Sequence, residues 1–268
     1  MLTAVLGCTG KADVDCLRKT DITTLYTAGK KFRFAPAMPV EGNYPLSEIR
    51  KGKWSKVPTI VGGQSCESCN SAARFGPPSH EPTKEEFDAA LTKAGFNGTM
   101  LLPSGEQVPG VSPAMLEEWY AHRIATEGRW RTFARINSDS GHACSSALHA
   151  EALGSTSNQV WRYFFTYVAP GSTMPGATHG GDETWILRTK KTSNSAELAL
   201  SEDMGSWWAT LGATLDPNPI SGNAPRWTSF VPGQEDGTMF MDTPPHLNST
   251  VDTLRVECEK WKPYLGWQ

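Results

Sequence analysis

The chain has 268 residues, with 25 Lys and Arg against 28 Asp and Glu and a formal net charge of −3. That length suits one large domain or two modest ones and lets roughly 70–75% of the unfolded surface be buried. Near-balanced charge with no basic block argues against nucleic acid as a partner, and no apolar run approaches the ~18 residues of a membrane span.

The opening Met1–Leu6 is too short, and lacks the cationic start, for a secretion signal. Asp21 reads as an N-cap before Ile22–Leu25. Phe32–Pro36 reads as extended, and Pro45–Arg50 as a short helix stopped by Gly52. Val57–Gly63 is an apolar run ending in two glycines, the pattern of a buried strand followed by a tight turn. Thr83-Lys84-Glu85-Glu86 is a capping box leading a helix with the stripe Phe87, Ala90, Leu91 and Ala94 and a stop at Gly95. Ser112-Pro113 opens another helix with Leu116, Trp119 and Tyr120 on one face. Ala143–Leu153 reads as helical, and Val160–Val168, rich in aromatic and β-branched residues, as a strand. Ser195–Leu211 places Leu200, Met204, Trp207, Trp208 and Leu211 on a helical face. A last helix is expected from about Ser249 to about Lys262, with Leu254, Cys258 and Trp261 inward. The order is an α/β pattern with too few strands for a full doubly wound sheet.

The glycine-rich segment Gly176-Ala177-Thr178-His179-Gly180-Gly181-Asp182-Glu183 follows the strand at 160–168. A histidine on a loop near the C-terminal end of a strand is where α/β enzymes keep a general base. The flanking glycines allow close substrate approach. Most histidines in a protein of this size are surface or satisfied core groups, so position alone leaves the bland reading ahead. Glu67 lies just past the strand that ends near Val61. A carboxylate there would orient a histidine and stabilise its imidazolium, as the third member of a triad does; a solvated loop glutamate is the plainer alternative. The 268 residues hold no Gly-x-Ser-x-Gly nucleophile turn.

Six cysteines fall at 8, 16, 66, 69, 144 and 258, a number that permits disulfides without proving them. Cys66-Glu67-Ser68-Cys69 is a C-x-x-C that suits a redox pair, half of a zinc site with His142, Cys144 and His149, a local disulfide, or two free thiols. The zinc reading lacks a second paired motif, and the redox reading lacks the residues usual between such cysteines, so the last two readings rank above both. No cofactor or metal is expected. A Cys8–Cys16 bridge would close a short loop, and a Cys144–Cys258 bridge would tie the helix before the strand to the last helix. Such bridges contribute roughly 2–5 kcal/mol each, the longer loop more. Two sequons, at Asn97 and Asn248, together with paired cysteines, lean towards an extracellular or lumenal protein.

Taken in order, these residues resemble the C-terminal half of the type-B carboxylesterase and cholinesterase family of α/β-hydrolases, over nearly the whole chain. Cys8…Asp15-Cys16-Leu17-Arg18 resembles that family's cysteine pair. Phe34-Ala35-Pro36…Val40-Glu41-Gly42 resembles its F-x-P-x-x-D-G strand. Gly52…Lys56–Gly62, continued by Gln64-Ser65-Cys66-Glu67-Ser68, is similar to the strand and loop carrying the acid. Gly176–Gly180 is similar to the triad-histidine loop. Trp208…Asp216-Pro217-Asn218, Trp227…Phe230, Phe240-Met241-Asp242 and Cys258-Glu259-Lys260-Trp261 follow the closing pattern.

The resemblance implies a partial α/β-hydrolase fold, the C-terminal strands of the central sheet with surrounding helices, forming part of one esterase domain over 1–268. It implies catalytic roles for Glu67 and His179 and disulfides Cys8–Cys16 and Cys144–Cys258. It also implies a small ester as substrate and an extracellular or secretory setting. The nucleophilic serine and oxyanion-hole glycines would belong to a segment upstream of this chain, which alone would be inactive and would leave an exposed sheet edge. Departures are Cys66 for aspartate and Ser68 for glycine around the acid, Asp182 for glutamate three residues past His179, and Thr228 for proline. A non-catalytic adhesion or binding module on the same scaffold is the alternative function.

Overall fold

The computed structural model describes residues 8, 14–30, 45–77, 79–101, 107–157, 159–219, 224–234, 237–247 and 253–265. The chain divides into two compact units, residues 1–45 and 46–268. The extended segment expected at Phe32–Pro36, and the sequon residue Asn248, lie outside the described residues.

In the first unit, Cys8 is disulfide-bonded to Cys16, which lies on α1 (Val14–Lys19). α2 spans Ile22–Lys30. Its first turn is capped as the sequence suggests, with Asp21 Oδ1 accepting from Thr24 N at 3.0 Å.

The second unit is built on a four-stranded sheet of order β1-β4-β5-β6. β1 is Thr59–Gln64, β4 Val160–Phe165, β5 Thr238–Met241 and β6 His246–Leu247. The β1–β4 and β4–β5 pairs are parallel and β5–β6 is antiparallel. A separate hairpin pairs β2 (Thr99–Leu101) with β3 (Gln107–Pro109). The two glycines that were expected to begin a turn lie inside β1 instead. Gly62 stands opposite Tyr163 in the register, and a Cβ there would sit 2.3 Å from Tyr163 Cδ1 and 2.4 Å from its carbonyl oxygen. The glycine is thus demanded by close strand approach, and the turn follows Gln64.

β4 is covered on both faces, as a central strand requires. Trp161, Tyr163 and Phe165 face a cluster with Leu200, Met204, Trp207 and Trp227. Phe164 faces the other way, into a cluster with Phe87, Leu91, Leu116, Trp130, Phe133 and Ile136. The alternation follows the period of two along a strand. The first cluster is closed by α10 (Ser195–Thr214), capped by Asn194. The second is closed by α5 (Lys84–Lys93), α6 (Pro113–Trp119) and α7 (Ala121–Ser138). Thr83 and Glu86 form the capping box, and Ser112 caps α6 with Pro113 at its start. Each buried large apolar side chain here contributes on the order of 1.5–3 kcal/mol relative to exposure.

Smaller helices complete the unit: α3 (Pro45–Arg50), α4 (Cys69–Ala72), α8 (Cys144–Gly154), α9 (Glu183–Ile186) and α11 (Thr253–Trp261). α7 has no counterpart in the sequence reading. Its backbone leaves helical geometry at Gly128 (φ 83°, ψ 168°), so its apolar positions do not follow one continuous helical period. A π-helical turn, Asp139–Ala143, links α7 to α8. Cys144 at the head of α8 is bonded to Cys258 of α11, where Cys258 and Trp261 are buried. The side chain of Leu254 lies outside the described residues. No described helix is long and apolar enough to cross a membrane.

Candidate active site

β1 delivers the chain to a tight turn at its C-terminal end, and Glu67 sits on that turn. Its side chain is 5% exposed. A buried carboxylate needs partners for its oxygens. Oε1 accepts from the backbone N–H of Gln64 at 2.9 Å, and Oε2 accepts from His179 Nδ1 at 2.7 Å. A carboxylate oxygen accepts, so Nδ1 is the donor of this bond and Nε2 is the ring nitrogen left facing outward from the pair. The His179 side chain is 70% exposed.

Two loops 112 residues apart in sequence are laced together to make this contact. Cys66 N donates to the Ala177 carbonyl at 2.9 Å, and Ala177 N donates back to Ser65 Oγ at 2.9 Å. Gly176 makes the approach possible, since a Cβ there would lie 2.8 Å from Cys66 Cβ. On the histidine side the chain turns tightly, with Gly181 N donating to Thr178 O at 2.8 Å.

Asp182 anchors that turn. It is buried, and it accepts from Gln64 Nε2 at 2.5 Å and from the Tyr163 hydroxyl at 2.6 Å. Burial, and then the Asp182 charge beside it, push the Tyr163 phenol well above its ordinary value. Gln64 therefore touches both sides of the site, Glu67 through its backbone and Asp182 through its side chain. Behind Glu67, Ser68 N donates to Ser138 Oγ at 2.9 Å.

Cys66 and Cys69 are disulfide-bonded to one another. With Cys144 bonded to Cys258, the zinc set of Cys66, Cys69, His142, Cys144 and His149 loses its thiolates. Of that set His142 does reach the site, by another route: its ring packs against His179 with centroids 5.2 Å apart and planes inclined at 40°. His149 instead bonds the Ser145 carbonyl through Nδ1 at 2.8 Å. Asn97 is exposed, and its side-chain oxygen accepts from Thr99 N and Thr99 Oγ1 at 3.1 and 2.8 Å.

Gln64, Tyr163 and Asp182 escaped the sequence reading as site residues. Only Asp182 carried a signal, its place three residues after His179. Among the described residues, a hollow of about 240 Å³ lies beside the histidine loop, lined by Phe165, Tyr167, Met174, Thr178, Trp185 and Lys190 among others. A larger one of about 670 Å³, with Gln159, Trp161 and Arg226, opens at the far end of β4. The paired carboxylate and imidazole sit at the other end, at the strands' C-terminal ends, where open α/β sheets bind ligands.

A buried carboxylate bonded to Nδ1 of an exposed imidazole has the geometry that the acid and base of a nucleophilic triad require. No curated protein matches the chain. The family model for the carboxylesterase family matches residues 1–260.

Proposed function

Because the chain belongs to the carboxylesterase family, we propose that Glu67 and His179 are the acid and base of an ester hydrolase. The observation that carries this reading is the 2.7 Å contact from His179 Nδ1 to Glu67 Oε2. It fixes the tautomer in which Nε2 can take a proton. The nucleophile is a serine supplied by a segment other than these 268 residues, which form the C-terminal portion of one carboxylesterase domain and of its α/β-hydrolase sheet.

In this mechanism the serine hydroxyl attacks the ester carbonyl while His179 Nε2 accepts its proton. The alcohol leaves with that proton, and water then repeats the sequence on the acyl-enzyme. Glu67 stays ionised, holding the ring and stabilising the imidazolium. Backbone N–H groups of the same other segment would hold the oxyanion. The disulfides suit an oxidising setting, and we place the protein outside the cell or in the secretory pathway, with Asn97 and Asn248 as glycan acceptors.

The other reading is a non-catalytic binding or adhesion module. The lack of a nucleophilic serine motif in these residues favours that module, and the retained contact between His179 and Glu67 favours catalysis. The test is hydrolysis of a chromogenic short-chain ester. Residues 1–268 should show no turnover above that of the His179→Ala variant, and a fluorophosphonate probe should label none of their serines. Turnover by residues 1–268 that His179→Ala abolishes would mean a nucleophile within the chain.

A further inference from the structure

His179 offers most of its ring to solvent and, through Nδ1, holds one short bond to Glu67. An imidazole so placed has other staggered rotamers within reach, and each breaks that bond. The ring packed on it at 5.2 Å belongs to His142. Resting on the reading of His179 as the base, we propose that His142 is a positioning residue. Its ring, itself exposed, packs beside that of His179 and limits the rotamers that would take Nδ1 off Glu67.

Three features support a built contact. First, His142 lies in the π-helical turn Asp139–Ala143. Such a turn inserts a residue into a helix and re-aims its neighbours, and π-turns occur frequently at functional sites. Second, the turn is pinned at both ends. Asp139 is fully buried and accepts from the Tyr120 hydroxyl at 2.7 Å and Arg135 Nε at 3.0 Å. Cys144 is bonded to Cys258, and the His142 carbonyl accepts from Ser145 Oγ at 3.0 Å. Third, Ser138, next to the turn, accepts from Ser68 N at 2.9 Å. One segment, 138–144, therefore holds the acid's loop from behind and the base's ring from the side.

The test reads the His179 tautomer directly and needs no ester turnover. Residues 1–268 are labelled with [15N]histidine, and multiple-bond 15N–1H spectra are recorded where the imidazoles are neutral. The wild type should show His179 protonated at Nδ1. Glu67→Gln should remove that preference, which establishes that the pair sets the tautomer. His142→Ala should shift His179 towards the Nε2-protonated form of a free imidazole, and His142→Phe, which keeps a flat ring, should restore the wild-type spectrum. An unchanged His179 in His142→Ala, alongside a changed one in Glu67→Gln, overturns the positioning role and leaves the acid–base pair intact. Failure of His142→Phe to restore the spectrum overturns it as well. A His179 indifferent to Glu67→Gln removes the pair and the positioning role together.

Discussion

Gln64 donates its side-chain amide to Asp182 at 2.5 Å, while its backbone N–H donates to Glu67 at 2.9 Å. One residue at the end of β1 thus ties the loop of Glu67 to the turn that follows His179. Asp182→Ala should orphan a buried donor, the Gln64 amide, at about 1–3 kcal/mol, and a half-buried one, the Tyr163 hydroxyl, at less. Urea denaturation should show the loss. Asp182→Asn should recover only part of it, because its amide aims a donor at a donor.

Glycine placement separates two kinds of substitution. Gly62→Ala pushes a methyl into Tyr163 and should cost at least about 1–3 kcal/mol. Gly212, inside α10, has open space around its Cβ position, so Gly212→Ala should gain about 0.5–1 kcal/mol from helix propensity. Thermal midpoints of the two variants should move in opposite directions.

The disulfides should rank by loop length. Cys144 and Cys258 are 114 residues apart, and Cys66 and Cys69 only 3. Loop entropy predicts about 4–5 kcal/mol for the first and about 2 kcal/mol for the second. The paired serine variants, compared by denaturant titration, should keep that order.

The alkaline limit of stability should depend on Tyr167. Its hydroxyl donates to Glu197 Oε1 at 2.5 Å. Burial, then that bond, raise the phenol to about 12. A folded-state value above the unfolded one contributes stability that is complete below about pH 10 and is lost as pH rises through about 12. Tyr167→Phe should be less stable at neutral pH and lose less between pH 10 and 12, as read from melting temperature against pH.

Local signals were legible where chemistry is local. Asp21, Thr83 with Glu86, and Ser112-Pro113 announce their helices because a cap must lie next to the groups it satisfies. Glu67 and His179 were legible as candidates because strand ends and glycines frame them. What joined them was not. Gln64, Tyr163 and Asp182 meet through strand pairing and a turn, contacts that no sequence spacing encodes. α7 was lost to the break at Gly128, and β5 to its brevity. His142 drew notice as part of a metal set and reached the site instead through a π-helical turn that no residue pattern marks.

We propose that Glu67 and His179 drive ester hydrolysis with a serine from another segment of the domain. The most direct measurement is kcat/KM on a chromogenic short-chain ester for a protein joining residues 1–268, in frame, to that segment. Glu67→Gln and His179→Ala should each lower it by about 10⁴-fold, since a triad acts as a unit. Hydrolysis that survives both substitutions at the wild-type rate would mean that neither residue carries the reaction.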